Sequence, residues 1–395
     1  MRLFISALLA TRIIFDGQFS FNLWGKPFNG YLAILTLIVG VFVVLSGRAA
    51  VSGRSVAFSI FIVGLSLGAS VQWGGSVLDE AIRLISLVTL SALSYTWGLP
   101  FSQKQLVVLF GSLSGLNFAF AVAQAVTGSG LLVGGVSRFS GFMAHPNSAA
   151  LVYGITIILV LQSLTTGQAR VFSIVALLFA LAGLGITLSI GGTVSVLAGV
   201  GLALLQTRSQ VSKLGKLVVG IIFVAGLALV AIYVPGVATR FNMVTDSYTY
   251  VNADATNSLV WRFQHWAQLW PYVVEHPIFG MGLGSSATGQ FTPDGLMPHS
   301  EYLRLLLETG VIGGLIAIWA IRRTIRTHLK VINSNHGQKW ASQATLSVLA
   351  ALLINCLTEN TFIYTVPIMM FCVLLGQANR QSKELLLSAS SSLRR

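Results

Sequence analysis

The sequence predicts an all-α fold, a polytopic membrane bundle of about twelve transmembrane helices with one long external loop. Two observations carry this. Of 395 residues, 54% are hydrophobic and only 9% charged, with a mean hydropathy of +0.80, a balance that belongs to polytopic membrane proteins. The apolar residues also fall into separate runs of crossing length, with basic residues gathered at alternate connections. One integral domain covering residues 1–395 is the economical reading.

Taken in order, the apolar runs cover residues 3–21, 31–45, 56–71, 81–97, 106–126 and 149–164. They continue at 171–188, 192–206, 217–234, 300–321, 344–357 and 362–376. Most approach the roughly 20 residues that cross a hydrocarbon core of about 30 Å at about 1.5 Å per residue. The first run is interrupted by Arg12, and a cleavable signal peptide satisfies the same pattern. Cys356 and Cys372 both lie inside apolar runs, which points to neither a disulfide framework nor a thiolate metal site.

Charge orients the bundle. With the N-terminus in the cytoplasm, Arg2, Arg48, Arg54, Lys104, Arg170, Arg208, Lys213, Lys216 and the basic clusters within 322–339 and 380–395 fall inside. Lys26, Arg138, Arg240 and Arg262 are the basic residues of the outside loops. The formal charge of +13 (24 basic minus 11 acidic) then reflects orientation and attraction to anionic membrane lipid. The interleaved basic and aromatic pattern of a nucleic-acid site is missing from the inside loops, so no nucleic-acid partner is expected.

This orientation places residues 235–298 outside, a connection too long to be a mere linker. Tyr248, Tyr250, Asn252 and Asn257 suit a sugar-facing surface. Residues 258–275 read as an amphipathic helix. Phe263, Trp266, Trp270 and Val273 recur at steps of three and four, while Arg262, His265 and Gln268 share another side. Tryptophans so spaced predict a helix in the headgroup layer, with Arg262 facing lipid phosphates or a lipid-linked substrate; an ordinary interfacial arginine fits the pattern equally.

The loop delivers His299 to the mouth of the run at 300–321. Ser300 is a good N-cap type and Glu301 an acid in the first turn, although no Glu or Gln completes a capping box. The positive end of the helix dipole should keep His299 a neutral imidazole, the state a general base needs. The plainer reading is a surface histidine beside a turn. Arg304 and Glu308, about 6 and 12 Å along the axis, share a face. At such depth ionisable groups line a cavity or pair with each other.

Before the sixth run, Arg138 could clamp a diphosphate through two parallel hydrogen bonds, whereas His145, Pro146 and Asn147 also fit plain helix-start chemistry. Arg83, near Asp79 and Glu80, reads as a local ion pair. Gly280, Gly282 and Gly284 lack the βαβ context of a nucleotide fingerprint and read as a tight re-entry toward the membrane, with amide contact to phosphate the alternative. No metal is expected: His265, His276, Asp246, Asp254, Glu275 and Asp294 lack short ligand spacings. No cofactor is expected either.

Three motifs resemble those of the O-antigen ligase and O-antigen polymerase superfamily. His299-Ser300, nine residues, then Gly310 and Gly313 fit its H-[NSQ]-x9-G-x-x-[GTY] pattern. Arg138, Gly141, His145, Pro146, Asn147 and Ala150 fit R-x-x-G-x-x-x-H-P-N-x-x-A, and Pro277, Gly280, Gly282 and Gly284 fit P-x-x-G-x-G-x-G. The chain departs from many relatives at Ser189-Ile190, where they carry a serine and an arginine.

The resemblance implies a GT-C-like, metal-independent, inverting glycosyltransferase at the outer face of the bacterial cytoplasmic membrane. Its donor would be a glycan on undecaprenyl diphosphate, and its acceptor another glycan or a lipid A core, so polymerase and ligase both stay open. On this reading His299 is the base; Arg262, Arg138 and Arg304 hold the diphosphate; Glu308, Ser300, His145 and Asn147 support them. The rival from another class is a transporter or flippase for lipid-linked glycan, which would call for paired broken helices and internal repeats.

Overall fold

The stretch enclosed most completely is the helix Pro146–Thr166. Its Leu151, Val152, Tyr153, Ile155, Ile157, Ile158 and Val160 are each at most 1% exposed, so it meets protein on every side. It is α6 of twelve α-helices among the described residues of the computed structural model, namely 2–17, 21–23, 26–46, 53–74, 76–96, 101–133, 136–166, 170–206, 258–293, 295–334 and 339–392.

The others are α1 (Arg2–Ile14), α2 (Phe28–Leu45), α3 (Gly53–Trp73), α4 (Ser76–Thr96), α5 (Gln103–Thr127), α7 (Arg170–Ile186) and α8 (Ile190–Gln206). They continue as α9 (Ser258–Glu275), α10 (Glu301–Asn333), α11 (Trp340–Asn355) and α12 (Thr365–Ser392). Two short antiparallel ladders are also present: β1 (Asn22–Leu23) with β2 (Lys26–Pro27), and β3 (Leu131–Val133) with β4 (Val136–Arg138).

Around α6 pack α5, α7, α8, α11 and α12; α4 lies along α12, and α2 and α3 lie against α4. α1 turns Ile5, Leu8, Leu9 and Ile13 into this core. The periphery is apolar as well, for instance at Ile38 and Phe42 of α2, Leu178 of α7, and Leu315, Ile318 and Trp319 of α10. Apolar side chains outside as well as inside are what a bilayer permits and water does not.

The fold is therefore all-α, and it is that of a membrane protein. Among the described residues, four helices are long and apolar enough to cross a membrane: α2, α5, α6 over Pro146–Leu164, and α10. The expectation of about twelve crossings is reproduced only to that extent. The run at 217–234, Arg240, Tyr248, Tyr250, Asn252 and Asn257 lie outside the described residues. α10 also departs from the run at 300–321: it continues to Asn333 as a basic arm and is broken at Gly310.

At the end of the bundle where α10 begins, polar side chains inside the core shape the loops. Asn117 of α5 accepts from the Phe142 N–H at 2.8 Å and donates to the Tyr153 hydroxyl at 2.8 Å. Gln124 accepts from the Ser140 and Gly141 N–H groups at 3.2 and 2.9 Å. The segment from Arg138 to His145 is thus held by α5 before Pro146, at the first helical position, starts α6.

Candidate active site

The break in α10 positions the site. Gly310 adopts φ 60° and ψ −163°, a region open essentially to glycine. The segment leaving α9 fills the gap. The Val311 N–H donates to the Pro277 carbonyl at 2.8 Å and the Ile312 N–H to that of Ile278 at 3.3 Å. In return the Met281 and Gly282 N–H groups donate to the Leu307 and Glu308 carbonyls at 2.7 and 3.0 Å. The backbone groups exposed by the break thereby find partners. A Cβ on Gly310 would lie 2.3 Å from the Ile278 oxygen, and one on Gly280 2.5 Å from the Glu308 carbonyl carbon. The two glycine motifs are the two sides of one joint.

Glu308 locks that joint. Its carboxylate accepts from the Gly284 N–H at 3.0 Å, the Ser286 hydroxyl at 2.5 Å and Arg304 Nε at 3.1 Å. The amides of Gly280, Gly282 and Gly284 are thus already engaged, by His276, Glu308 and Glu308 respectively. This favours the re-entry reading over phosphate contact.

Arg304, expected beside a diphosphate, ends instead among three carboxylates. Nη2 meets Glu80 of α4 at 2.5 Å, Nη1 meets Glu301 at 3.2 Å and Nε meets Glu308 at 3.1 Å, and the residue is 4% exposed. Glu80 also pairs with Arg83, whose guanidinium donates to the Phe362 carbonyl. The Phe362 N–H in turn donates to Glu301 at 3.0 Å, which ties this cluster to the turn between α11 and α12.

That turn carries a residue the sequence reading missed, Glu359. Its Oε1 accepts from Arg262 Nη2 at 2.8 Å, its Oε2 accepts from the Tyr364 hydroxyl at 2.9 Å, and Nδ1 of His299 lies 3.6 Å from Oε2. The carboxylate is 3% exposed. Burial alone would raise its pKa, but the facing imidazole of His299 and the charges of Arg262 and His145 hold it at about 2. Tyr364 is pushed well above the usual phenol range, by burial first and then by the Glu359 charge it faces.

His299 precedes the N-cap Ser300, whose hydroxyl accepts from the Leu303 N–H at 3.5 Å, and it has φ 50°. The Glu301 N–H bonds the Cys356 and Glu359 carbonyls, which seats the start of α10 on the turn. Among the described residues only Leu188 and His299 combine a side chain with positive φ, and both border this site.

α9 closes one side. Trp261 stacks on His265 at 4.7 Å and meets the His299 ring edge-on at 5.2 Å, while Trp266 donates to the Pro298 carbonyl at 2.6 Å. The single apolar stripe expected on this helix is corrected. Phe263, Trp270 and Val274 are exposed, whereas His265, Leu269 and Val273 are buried beside the partly buried Trp266.

The third motif lies across Tyr364. The His145 ring stacks parallel to it, 8° from coplanar at 6.1 Å, and its Nδ1 accepts from the Asn147 N–H at 3.2 Å. Burial lowers the His145 pKa to about 4, with Arg138, His299 and Arg262 adding to the shift and Glu359 opposing it. Asn147 accepts from Arg138 Nη2 at 2.6 Å and from Ser189 at 2.8 Å; Arg138, 4% exposed, also donates to the Thr187 carbonyl at 2.9 Å. A Cβ on Gly191 would lie 3.0 Å from the Thr358 hydroxyl, so the turn holding Ile190 abuts the Glu359 turn.

His299 and Arg262 thus meet through Glu359, His145 and Asn147 join through Tyr364, and Arg138 joins through Asn147. Arg304, Glu308 and Ser300 support the start of α10. Glu359 was signalled only by being a lone acid in a short turn at the His299 end. Among the described residues, no group of three His, Cys, Asp or Glu side chains is placed to hold a metal ion.

Apolar helices thus surround a buried carboxylate, Glu359, with a partly exposed imidazole and guanidinium beside it, and in this setting the chain is similar to membrane enzymes of the glycosyltransferase-like ligase and polymerase class. Residues 175–318 match the family model described as O-antigen ligase, which supports membership of the O-antigen ligase and polymerase superfamily. No curated protein matches the chain. The matched span holds Arg262, the joint and His299, while Arg138, His145 and Glu359 lie beyond it.

Proposed function

We propose that the protein transfers a glycan from undecaprenyl diphosphate to an acceptor hydroxyl at the outer face of the bacterial cytoplasmic membrane, inverting the anomeric centre without a metal. The observation that carries this reading is the Glu359 carboxylate between Arg262, at 2.8 Å, and His299, at 3.6 Å. With Nδ1 turned to Glu359, Nε2 is the nitrogen that takes the acceptor proton. The acceptor oxygen bonds to the anomeric carbon as its bond to the diphosphate oxygen breaks, and the electron pair leaves on the diphosphate.

Arg262 neutralises that leaving charge, with Arg138 contributing positive potential from behind Asn147. Glu359 steadies the imidazolium that forms, as a buried carboxylate does in hydrolytic triads. Arg304 is assigned to holding the first turn of α10, since carboxylates engage its nitrogens. His145 and Asn147 shape the acceptor side. A glycan or lipid A core acceptor is compatible with this chemistry, so polymerase and ligase are both within it.

The broken helix is the feature a transporter would share. Here the segment from Pro277 to Gly282 satisfies the groups at the break, which leaves those groups no part in binding a solute. The test is a transfer assay on lipid-linked oligosaccharide with each acceptor, wild type against His299→Ala. Loss of product supports the reading; normal product from the variant removes it.

A further inference from the structure

Beyond Trp319, α10 changes from an apolar crossing into an arm with two opposite faces. At about 100° per residue, Arg322, Arg323, Arg326 and Lys330 fall within about 100° of one another, and all four are exposed. The opposite face is docked on the bundle. Ile325 and Ile332 pack against the core, Val331 is buried, and Nδ1 of the buried His328 lies 3.1 Å from the Ser342 hydroxyl. That anchoring fixes the basic face outward.

No carboxylate answers these charges. The sequence holds no acid from 309 to 358, and among the described residues none of the four makes an ion pair. The basic residues of α12 differ: Arg380 pairs with Glu384 at 3.0 Å, and Lys383 lies over the Tyr95 ring at 5.8 Å.

The basic face also has an order along its length. Leu315 and Ile318 are exposed and apolar, the exposed Trp319 follows, and the Arg323 guanidinium sits over its ring at 5.6 Å. Hydrocarbon, indole, cation is the succession met on leaving a bilayer core through its interface. From Glu301 to Arg322 the helix runs about 32 Å at about 1.5 Å per residue, against a hydrocarbon core of about 30 Å. The cations therefore begin where the core ends, on the side opposite His299.

We infer that this face binds anionic phospholipid of the leaflet opposite the candidate active site. Arg322, Arg323 and Arg326 hold the headgroup phosphates, and Trp319 packs on the glycerol and upper acyl chain. Guanidinium forks match phosphate oxygens, and the apolar half of the face beds acyl chains, which an acidic protein would leave uncovered. In the orientation expected from charge this is the cytoplasmic leaflet, whose surface is negative. The inference needs α10 to cross the membrane and does not depend on the transfer reaction.

Two variants that remove the same charge separate a site from a general field: Arg322→Gln with Arg326→Gln on the arm, and Arg380→Gln with Lys383→Gln on α12. Full-length protein in nanodiscs of phosphatidylethanolamine and phosphatidylglycerol would be read by native mass spectrometry for the lipid it retains. Wild type should retain phosphatidylglycerol preferentially, the arm variant should lose at least fivefold of that retention, and the α12 variant should stay within twofold of wild type. In detergent, phosphatidylglycerol should raise the melting temperature of wild type and of the α12 variant but not of the arm variant, and inorganic phosphate should raise none of them.

Equal retention by wild type and the arm variant would overturn the inference, as would an equal loss in the α12 variant, which would make the effect one of net charge. Stabilisation by inorganic phosphate matching that by phosphatidylglycerol would overturn it in favour of a free-anion site. A wild type with no preference for phosphatidylglycerol would overturn it and leave the face to an acidic protein.

Discussion

Arg262 of α9 and Glu359 of the turn before α12, 97 positions apart in sequence, are joined by a 2.8 Å hydrogen bond, and the same carboxylate faces His299. Removing its charge leaves the imidazolium formed during transfer without a counter-ion. Glu359→Gln should lower kcat by about 100-fold or more, with a smaller change in KM, measured by steady-state transfer of lipid-linked oligosaccharide.

Two of the shifted groups give a pH signature. His145 is held at about 4 when folded, against 6.5 for an ordinary histidine. As pH falls from 6.5 toward 4, the unfolded chain gains a proton that the folded one does not, so stability drops across that window. Glu359, held at about 2 against 4.5, contributes stability above pH 4.5 that is lost as pH falls toward 2. Thermal melting in detergent from pH 8 to pH 3.5 should therefore decline below pH 6.5, and His145→Gln should flatten the first part of that decline.

Gly310→Ala combines a forbidden backbone region with a Cβ 2.3 Å from the Ile278 oxygen. Gly128→Ala also sits at positive φ but meets nothing within 4 Å. The first should cost about 3 kcal/mol or more and abolish transfer. The second should cost about 1 kcal/mol and leave transfer intact, as compared by thermal melting and product formation.

Arg304→Met would leave Glu80, Glu301 and Glu308 close together and buried with their shared cation removed. The expected cost is about 3–5 kcal/mol, seen as a large drop in melting temperature. Arg304→Lys should recover part of the stability, and the KM for the lipid-linked donor should stay within about twofold of wild type. A KM rise without loss of stability would return Arg304 to the diphosphate.

Topology has its own check. Gln290 is exposed in the segment between α9 and α10. A cysteine introduced there (Gln290→Cys) should react with an impermeant maleimide added to intact cells, whereas labelling only after lysis would reverse the orientation.

Much of this was legible from residue pattern. The crossing-length runs gave the helical class, and the two glycine motifs and His299 marked the start and the break of α10. What periodicity could not distinguish was lipid from protein, since both accept apolar side chains. That is why Trp266 and Val273 were grouped with Phe263 and Trp270 although they turn inward. Glu359 and Tyr364 were missed because they meet Arg262 and His145 only through tertiary packing, and no local spacing records a contact across 97 positions. For Arg304 the i,i+4 rule finds Glu308 but not Glu80, a partner 224 positions away in sequence.

The stitching of residues 277–282 to Leu307, Glu308, Val311 and Ile312 also has a mechanical side. That segment comes directly off α9, so the guanidinium of Arg262 and the ring of His299 are carried by one stiff lever rather than by two independent arms. Both ends of that lever are also pinned to the turn before α12, Arg262 by its bond to Glu359 and the start of α10 by the Glu301 N–H, so the two groups keep one spacing.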